Sequence, residues 1–439
     1  MSDWTFDELQ VYDDQICDFA RKNGLDWYPI IYEICDYFEM IGHMSYHGLP
    51  SHYSHWSYGK SFERTHQLYN AGMEGLPYEL IINSNPSIAY LMRENPMALQ
   101  ILIMAHCIGH SDFFKNNITF KGTQPDAIIP RIRGAKRRIQ EYIEDPSIGI
   151  ERVEAILDAA HSIRFQVEHY GRQRIPYEQQ RKEYLTRFKD SEDRKWVDFV
   201  LDRVPLKSDY DILGFVIEHG RHLDEWEKDI LEIVRLESMY FVPQIRTKML
   251  NEGWACFWHH KILNALDLPQ KYHLHFIKSH NQVVRPHMGR INPYHMGFYL
   301  YNRIEEEHGI DRCFLVRESM HDEMAIREYL DEKACRDLEL FTYSRKTDRT
   351  GNIVKVDDVA DEEGWENIKK DILRQSGLGG IPRIAVSEVD QSGVLILRHD
   401  YDGRELELDF AEKVVNHVST LWNKEVKLFT TLEDEEVEI

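Results

Sequence analysis

The chain has 439 residues, long enough for one large core and a smaller second domain. Its 75 Asp and Glu against 53 Lys and Arg set a formal charge of -22, which opposes nonspecific binding to nucleic acid or to an anionic membrane. The start carries no basic-then-apolar leader, no run of about 18 apolar residues occurs, and the 6 cysteines show no C-x-x-C spacing, so a cytoplasmic protein without membrane insertion, disulfide framework or zinc ribbon is expected.

From Asp3 to about Asp331 apolar residues recur at three- and four-residue spacing, which predicts mostly helix, beginning with Asp7 to Lys22. His43 and His47 are four apart, but Gly48 and Pro50 end any helix there and argue against a ligand pair. His55 opens His55-Trp56-Ser57-Tyr58-Gly59-Lys60 and is a candidate cavity-lining residue. The apolar run Leu99 to His110 ends with His106 and His110 on one helix face, a turn apart and able to share a metal ion. The same spacing suits two polar residues at a helix end equally well. Asp112 reads either as a hydrogen-bond partner that orients a histidine or as a helix-end cap.

The basic cluster Arg131-Ile132-Arg133-Gly134-Ala135-Lys136-Arg137-Arg138 reads as a solvated helix face rather than a phosphate site. A helix is expected from Ile163 to Tyr170, stopped by Gly171, with Glu168 the leading candidate for a general base and a salt bridge as its ordinary alternative. Arg172 to Asp211 is highly charged and predicts outer helices with a loop around Pro205. Asp224 to Glu237 is amphipathic, with Trp226, Ile230, Ile233 and Val234 on the buried side, and Glu237 is a further carboxylate beside Arg235 and Arg246. Pro243 fits the first turn of the next helix, which carries Glu252. On that helix Glu252 and His259, seven apart, share a face with Cys256 between them, a second strip of donors that could complete a tetrahedral or higher site with an open position for water.

Arg290-Ile291-Asn292-Pro293-Tyr294-His295 predicts a tight turn before a helix that buries Phe298, Tyr299 and Ile304. Tyr294 or His295 at its start could donate to an oxyanion, or could serve ordinary structural hydrogen bonds. After about Ala334 the pattern becomes short β-branched runs at 338–344, 353–357, 383–389 and 394–398, with a turn at Asp400 to Gly403 leading to a further run at 405–409. Helices are expected at Glu362 to Gln375 and Phe410 to Trp422, and the acidic end from Glu433 to Ile439 reads as a frayed tail. The expected architecture is mainly α: a helical domain over 1–335 followed by a small α+β docking or dimerisation module over 336–439.

The two ligand strips resemble the gluzincin peptidases, in which two histidines one turn apart and a later glutamate, often in Asn-Glu-Gly-aromatic-Ala, hold zinc. Asn251-Glu252-Gly253-Trp254-Ala255 fits the second half, whereas Cys107 stands where that family carries its water-activating glutamate. A resemblance over more of the chain comes from His55-Trp56-Ser57-Tyr58-Gly59-Lys60, Ile82-Asn83-Ser84-Asn85-Pro86, Gly109 to Asn117, Glu168-His169-Tyr170-Gly171, Thr247 to Ala255 and Ile291-Asn292-Pro293-Tyr294. In this order they resemble the stage V sporulation protein R family. The resemblance implies a cytoplasmic protein tied to spore-cortex peptidoglycan or, more broadly, to stress or envelope physiology, often beside a serine kinase and a von Willebrand-type partner.

Taken together, these readings give a zincin-like helical domain whose divalent metal, zinc, is held by His106, His110 and Glu252, with His259 as a fourth ligand or a supporting group. The expected reaction is hydrolysis of an amide or peptide bond in a peptidoglycan peptide or precursor, with Glu168, Tyr294 and His295 as catalytic candidates. The rival reading is a non-catalytic regulator that kept the fold, lost its base at Cys107 and acts through protein partners.

Overall fold

Helix α1 (Phe6–Lys22) starts at a reciprocal cap, in which Thr5 accepts from the Glu8 amide and the Glu8 carboxylate accepts from Thr5. Its buried stripe is Leu9, Ile16 and Ala20. This computed structural model describes residues 4–70, 79–169, 174–188, 204–287, 291–348 and 351–439. They form two units: Met1–His52 with Trp56–Gly134 and Pro243–Gly380, and Tyr53–His55 with Ala135–Val242 and Ile381–Ile439.

After α1 come β1 (Ile30–Cys35), α2 (Tyr37–Ser45), α3 (Trp56–Asn70), β2 (Glu79–Ile82), β3 (Ser87–Met92) and α4 (Met97–Asn116). The strands make a sheet of order β1-β3-β2. β1 runs parallel to β3 from Ile30 opposite Ser87 to Cys35 opposite Met92, and β2 is antiparallel to β3. This small sheet is an addition to the mostly helical expectation for the region, which otherwise holds. Its strands are too short to carry a strong period, and the parallel pair joins segments far apart in sequence. Helix α2 ends at Ser45, His47 takes a positive φ of 54°, and the His43 ring stacks on Tyr90 at 3.9 Å, so His43 and His47 do not form a ligand pair on one helix.

Next follow α5 (Ile128–Glu144), α6 (Gly149–Ser162), α7 (Tyr177–Arg187), α8 (Ile212–His219), α9 (Glu225–Arg246) and α10 (Lys248–Ala265). Two expectations change here. Pro243 lies inside α9 rather than opening α10, and the carbonyl of Pro243 takes both the Thr247 amide (3.1 Å) and the Thr247 hydroxyl (2.7 Å), which closes α9. The expected helix from Ile163 does not form: α6 stops at Ser162, residues 163–165 make a turn and 166–169 are irregular, with Tyr170 outside the described residues. The Ile163 amide bonds back to Ala160, tightening the chain off the helical path.

The chain continues through α11 (Gln270–Val283), α12 (Pro293–His308), α13 (Ile310–Ser319), α14 (Asp322–Tyr329), α15 (Glu332–Asp337), the antiparallel hairpin β4 (Phe341–Asp348) and β5 (Gly351–Val359), and α16 (Gly364–Gln375). In the first unit α4 is the central helix, buried on nearly every side. By length and composition α4 alone among the described helices could cross a membrane, yet 94% of its most apolar 18-residue window is buried in this core. Two close crossings set α10 against its neighbours. A Cβ on Gly109 of α4 would lie 2.7 Å from the Ala255 Cα, and one on Gly253 would lie 2.4 Å from the Gly297 carbonyl carbon of α12. Only glycine permits those backbones to touch. Asp322 completes α10 from outside it, accepting the Met249 amide at 2.8 Å and the Leu250 amide at 3.0 Å, where Thr247 makes no side-chain cap.

The second unit carries β6 (Ile384–Val389), β7 (Leu395–His399), α17 (Leu408–Trp422), β8 (Val426–Leu432) and β9 (Glu435–Glu438), in a sheet of order β6-β7-β8-β9. The run at 405–409 is not a strand but leads into α17, whose Ala411, Val415, Val418, Leu421 and Trp422 are buried. The acidic tail is not frayed. It folds back as β9, antiparallel to β8 from Phe429 opposite Glu438 to Leu432 opposite Glu435, with Lys427 and Arg398 pairing its Glu438 and Glu436. Alternating side chains let one face of β9 meet those cations while its backbone completes the sheet.

Candidate metal centre

Helices α4 and α10 bring the two predicted strips together. His106 Nε2 and His110 Nε2 are 2.9 Å apart, and Glu252 Oε2 lies 3.3 Å from His110 Nε2 and 3.7 Å from His106 Nε2. A tetrahedral zinc with bonds of about 2.0–2.1 Å holds its donors about 3.3–3.4 Å apart, inside the range seen here. Both histidines are buried, and the Glu252 side chain is 17% exposed.

The proton inventory explains why this arrangement suits a cation. His110 Nδ1 faces Asn251 Oδ1 at 2.9 Å, and an amide oxygen only accepts, so the proton of a neutral His110 sits on Nδ1. Its Nε2 then directs a lone pair toward a carboxylate oxygen that is sealed from solvent and accepts no hydrogen bond among the described residues. Two acceptors facing each other require positive charge between them. Burial alone would raise the Glu252 carboxyl, but His110 and His106 hold it well below the usual carboxylate range. The residues present therefore fit a divalent ion, with Asn251 orienting His110 from behind.

His106 Nδ1 meets His259 Nδ1 at 2.9 Å, and His259 Nε2 meets His280 Nδ1 of α11 at 2.8 Å. Burial, reinforced by His106 and His280, pushes His259 well below the ordinary histidine range, and burial with His260 brings His280 down to about 4. Burial thus favours the neutral form of both rings. His280 was not singled out by any spacing, because it lies on a different helix from the residues it supports. Cys256 joins His106 and His259 in a second group whose donor atoms lie within 4.8 Å of one another.

Of the catalytic candidates, Tyr294 follows the Asn292 cap of α12, and its ring lies nearly parallel to that of His106 at 6.4 Å. His295 is half-buried, its pKa lowered by burial and by His287. Glu168 belongs to the second unit, as do His55, whose Nε2 lies 3.2 Å from Asp158, and Glu237, which lies 3.4 Å from the Tyr53 hydroxyl. Cys107 is buried in the apolar core, near enough to Tyr32 to oppose its ionisation. Trp254 and Trp258 pack on Phe257, Tyr301 and Phe314 within that core.

Asp112 is neither a histidine partner nor a cap. It accepts from the Asp26 amide (2.8 Å) and the Trp254 indole (2.8 Å) and faces Arg317 at 3.3 Å. Residues two apart on a helix point in different directions, so a side chain at 112 cannot follow one at 110.

The whole chain matches known sequence families. The model described as SpoVR like protein matches residues 3–381, and that described as SpoVR-like C-terminal domain matches residues 382–433. The uncharacterized protein YcgB of Escherichia coli (strain K12) is 34% identical, over 100% of this chain and 94% of its own length. No solved structure matches. The motif blocks from His55 to Tyr294 and these full-length matches agree: the chain belongs to the SpoVR-like family.

Proposed function

We propose that this protein is a cytoplasmic, metal-dependent hydrolase of an amide or peptide bond, with a zincin-like centre of His106, His110 and Glu252. The observation that carries this reading is the convergence of His106 Nε2, His110 Nε2 and Glu252 Oε2 at 2.9–3.7 Å. Three protein ligands are the usual complement of a catalytic zinc, which keeps a further position for water or substrate. Bound there, zinc supplies Lewis-acid polarisation of a carbonyl and acidifies water. Asn251 orients His110, the His259–His280 pair orients His106, and the Tyr294 hydroxyl is the group we assign to a developing oxyanion. The family supports a peptidoglycan peptide or precursor as substrate.

Elemental analysis of protein purified without chelator or histidine tag should find near-stoichiometric metal that is lost in His106→Ala and Glu252→Ala. The metal-loaded protein should then cleave members of a panel of peptidoglycan peptides. If it leaves the panel uncut while a control metallopeptidase cleaves it, the hydrolase reading fails.

One observation favours a second reading. The residue after the first histidine is Cys107, buried in the apolar core, so α4 supplies no general base there. A regulator that keeps the metal as a structural element would work through protein partners, a serine kinase and a von Willebrand-type protein among them. It predicts bound metal, no cleavage and co-purification with those partners.

A further inference from the structure

An imidazole ring has two nitrogens, and the centre described above uses only one of those on His106. Nε2 belongs to the set with His110 and Glu252, while Nδ1, across the ring, meets His259 Nδ1 at 2.9 Å. That spacing equals the one between His106 and His110 in the first set. Cys256 stands three residues before His259 on α10, and one donor atom from each of His106, Cys256 and His259 lies within 4.8 Å of the others. All three residues are buried.

The partner behind His259 matches a ligand's needs. A proton on His259 Nε2, donated to His280 Nδ1 at 2.8 Å, leaves His259 Nδ1 as a lone pair directed toward His106.

We propose that His106 Nδ1, His259 Nδ1 and Cys256 Sγ form a second metal subsite, so that His106 bridges two divalent ions as an imidazolate. The proposal rests on the reading of His106, His110 and Glu252 as the first metal centre. Loading the subsite releases two protons, one from the Cys256 thiol and one from the His106 ring; thiolate and imidazolate together balance the charge of the second dication. A donor set of two imidazoles and one thiolate selects borderline-soft ions such as zinc or cobalt over magnesium or calcium, which prefer oxygen.

The test is titration of the metal-free full-length chain with Co²⁺, followed by absorption spectroscopy and equilibrium dialysis. The expected result is two equivalents bound, with a thiolate-to-cobalt charge-transfer band in the near ultraviolet. Cys256→Ser should abolish that band and one equivalent, and Glu252→Gln should remove the other equivalent while the band survives. Two equivalents together with the band in the parent chain support the bridged pair, and fewer than two or a missing band overturns it, so the test stands even if a variant misfolds. One equivalent without a thiolate band, lost in Glu252→Gln, overturns the second subsite and leaves the first centre intact. One equivalent with the band, indifferent to Glu252→Gln, supports the thiolate subsite and overturns the first centre together with the bridge. No bound cobalt at all overturns both.

Discussion

Two buried polar clusters lie on different faces of the α4–α10 crossing, and they are built on opposite principles. His110 and Glu252 belong to one; Asp112 and Trp254, each two residues further along, belong to the other. The Asp112 carboxylate is matched by donors and a cation: the Asp26 amide, the Trp254 indole, the Asn116 side-chain amide and the Arg317 guanidinium, whose Nε faces it at 3.3 Å without a well-formed hydrogen bond among the described residues. In the His110 cluster the Glu252 carboxylate faces two imidazoles, and its Oε2 accepts no well-formed hydrogen bond among the described residues. A carboxylate matched by donors and a permanent cation holds helices together, whereas one faced by imidazoles is a place that can take an ion.

This contrast can be broken first at Arg317. Arg317→Met strips the cation from a carboxylate that is 0% exposed and should destabilise the metal-free protein by about 3–5 kcal/mol, measured by denaturant unfolding. Glu252→Gln in the same metal-free protein should cost less, because Glu252 faces two imidazoles rather than a permanent guanidinium charge. Equal losses from the two variants would mean that the clusters do not differ in kind.

The crossing that both clusters share is the next target. Gly253→Ala forces a methyl group against the Gly297 backbone and should cost about 1–3 kcal/mol, with loss of bound metal because Glu252 is carried off its position. Retained metal with unchanged stability would show that this close approach does not position the site.

A smaller effect is expected at the supporting residue. Asn251→Ala should leave the fold intact, as judged by circular dichroism, and weaken metal affinity roughly 10–100-fold in a competition titration. An unchanged affinity would remove Asn251 from the site.

The smallest expected effect is electrostatic and lies away from both clusters. Arg303 forms paired hydrogen bonds to Asp331, at 2.7 and 2.6 Å, and these, against an opposing effect of burial, lower the Asp331 carboxyl to about 2. Because this folded-state value lies below the ordinary 3.8, the stabilisation is complete above about pH 4 and is lost as pH falls toward 2. The Asp331 side chain is about half exposed, so the gain is modest. The difference in thermal midpoint between parent and Asp331→Asn should be larger at pH 7 than at pH 2.5, and a difference independent of pH would assign Asp331 a capping role alone.

The sequence by itself determined the local parts. The i,i+4 histidines and the Glu252–Cys256–His259 stripe depend only on helical periodicity, and the amphipathic helices with buried Ile230, Ile233 and Val234 follow from the same rule. Tertiary structure decided everything that needs two distant segments. It paired β1 with β3, turned the acidic tail into β9, set Asn251 against His110 and His280 against His259, and gave Asp112 to Trp254 and Arg317 instead of to a histidine. Periodicity fixes the direction of a side chain about its own helix axis, but its partner depends on how closely the neighbouring backbone approaches. Here Gly109, Gly253 and Gly297 set that distance, and they do so only once the helices are packed.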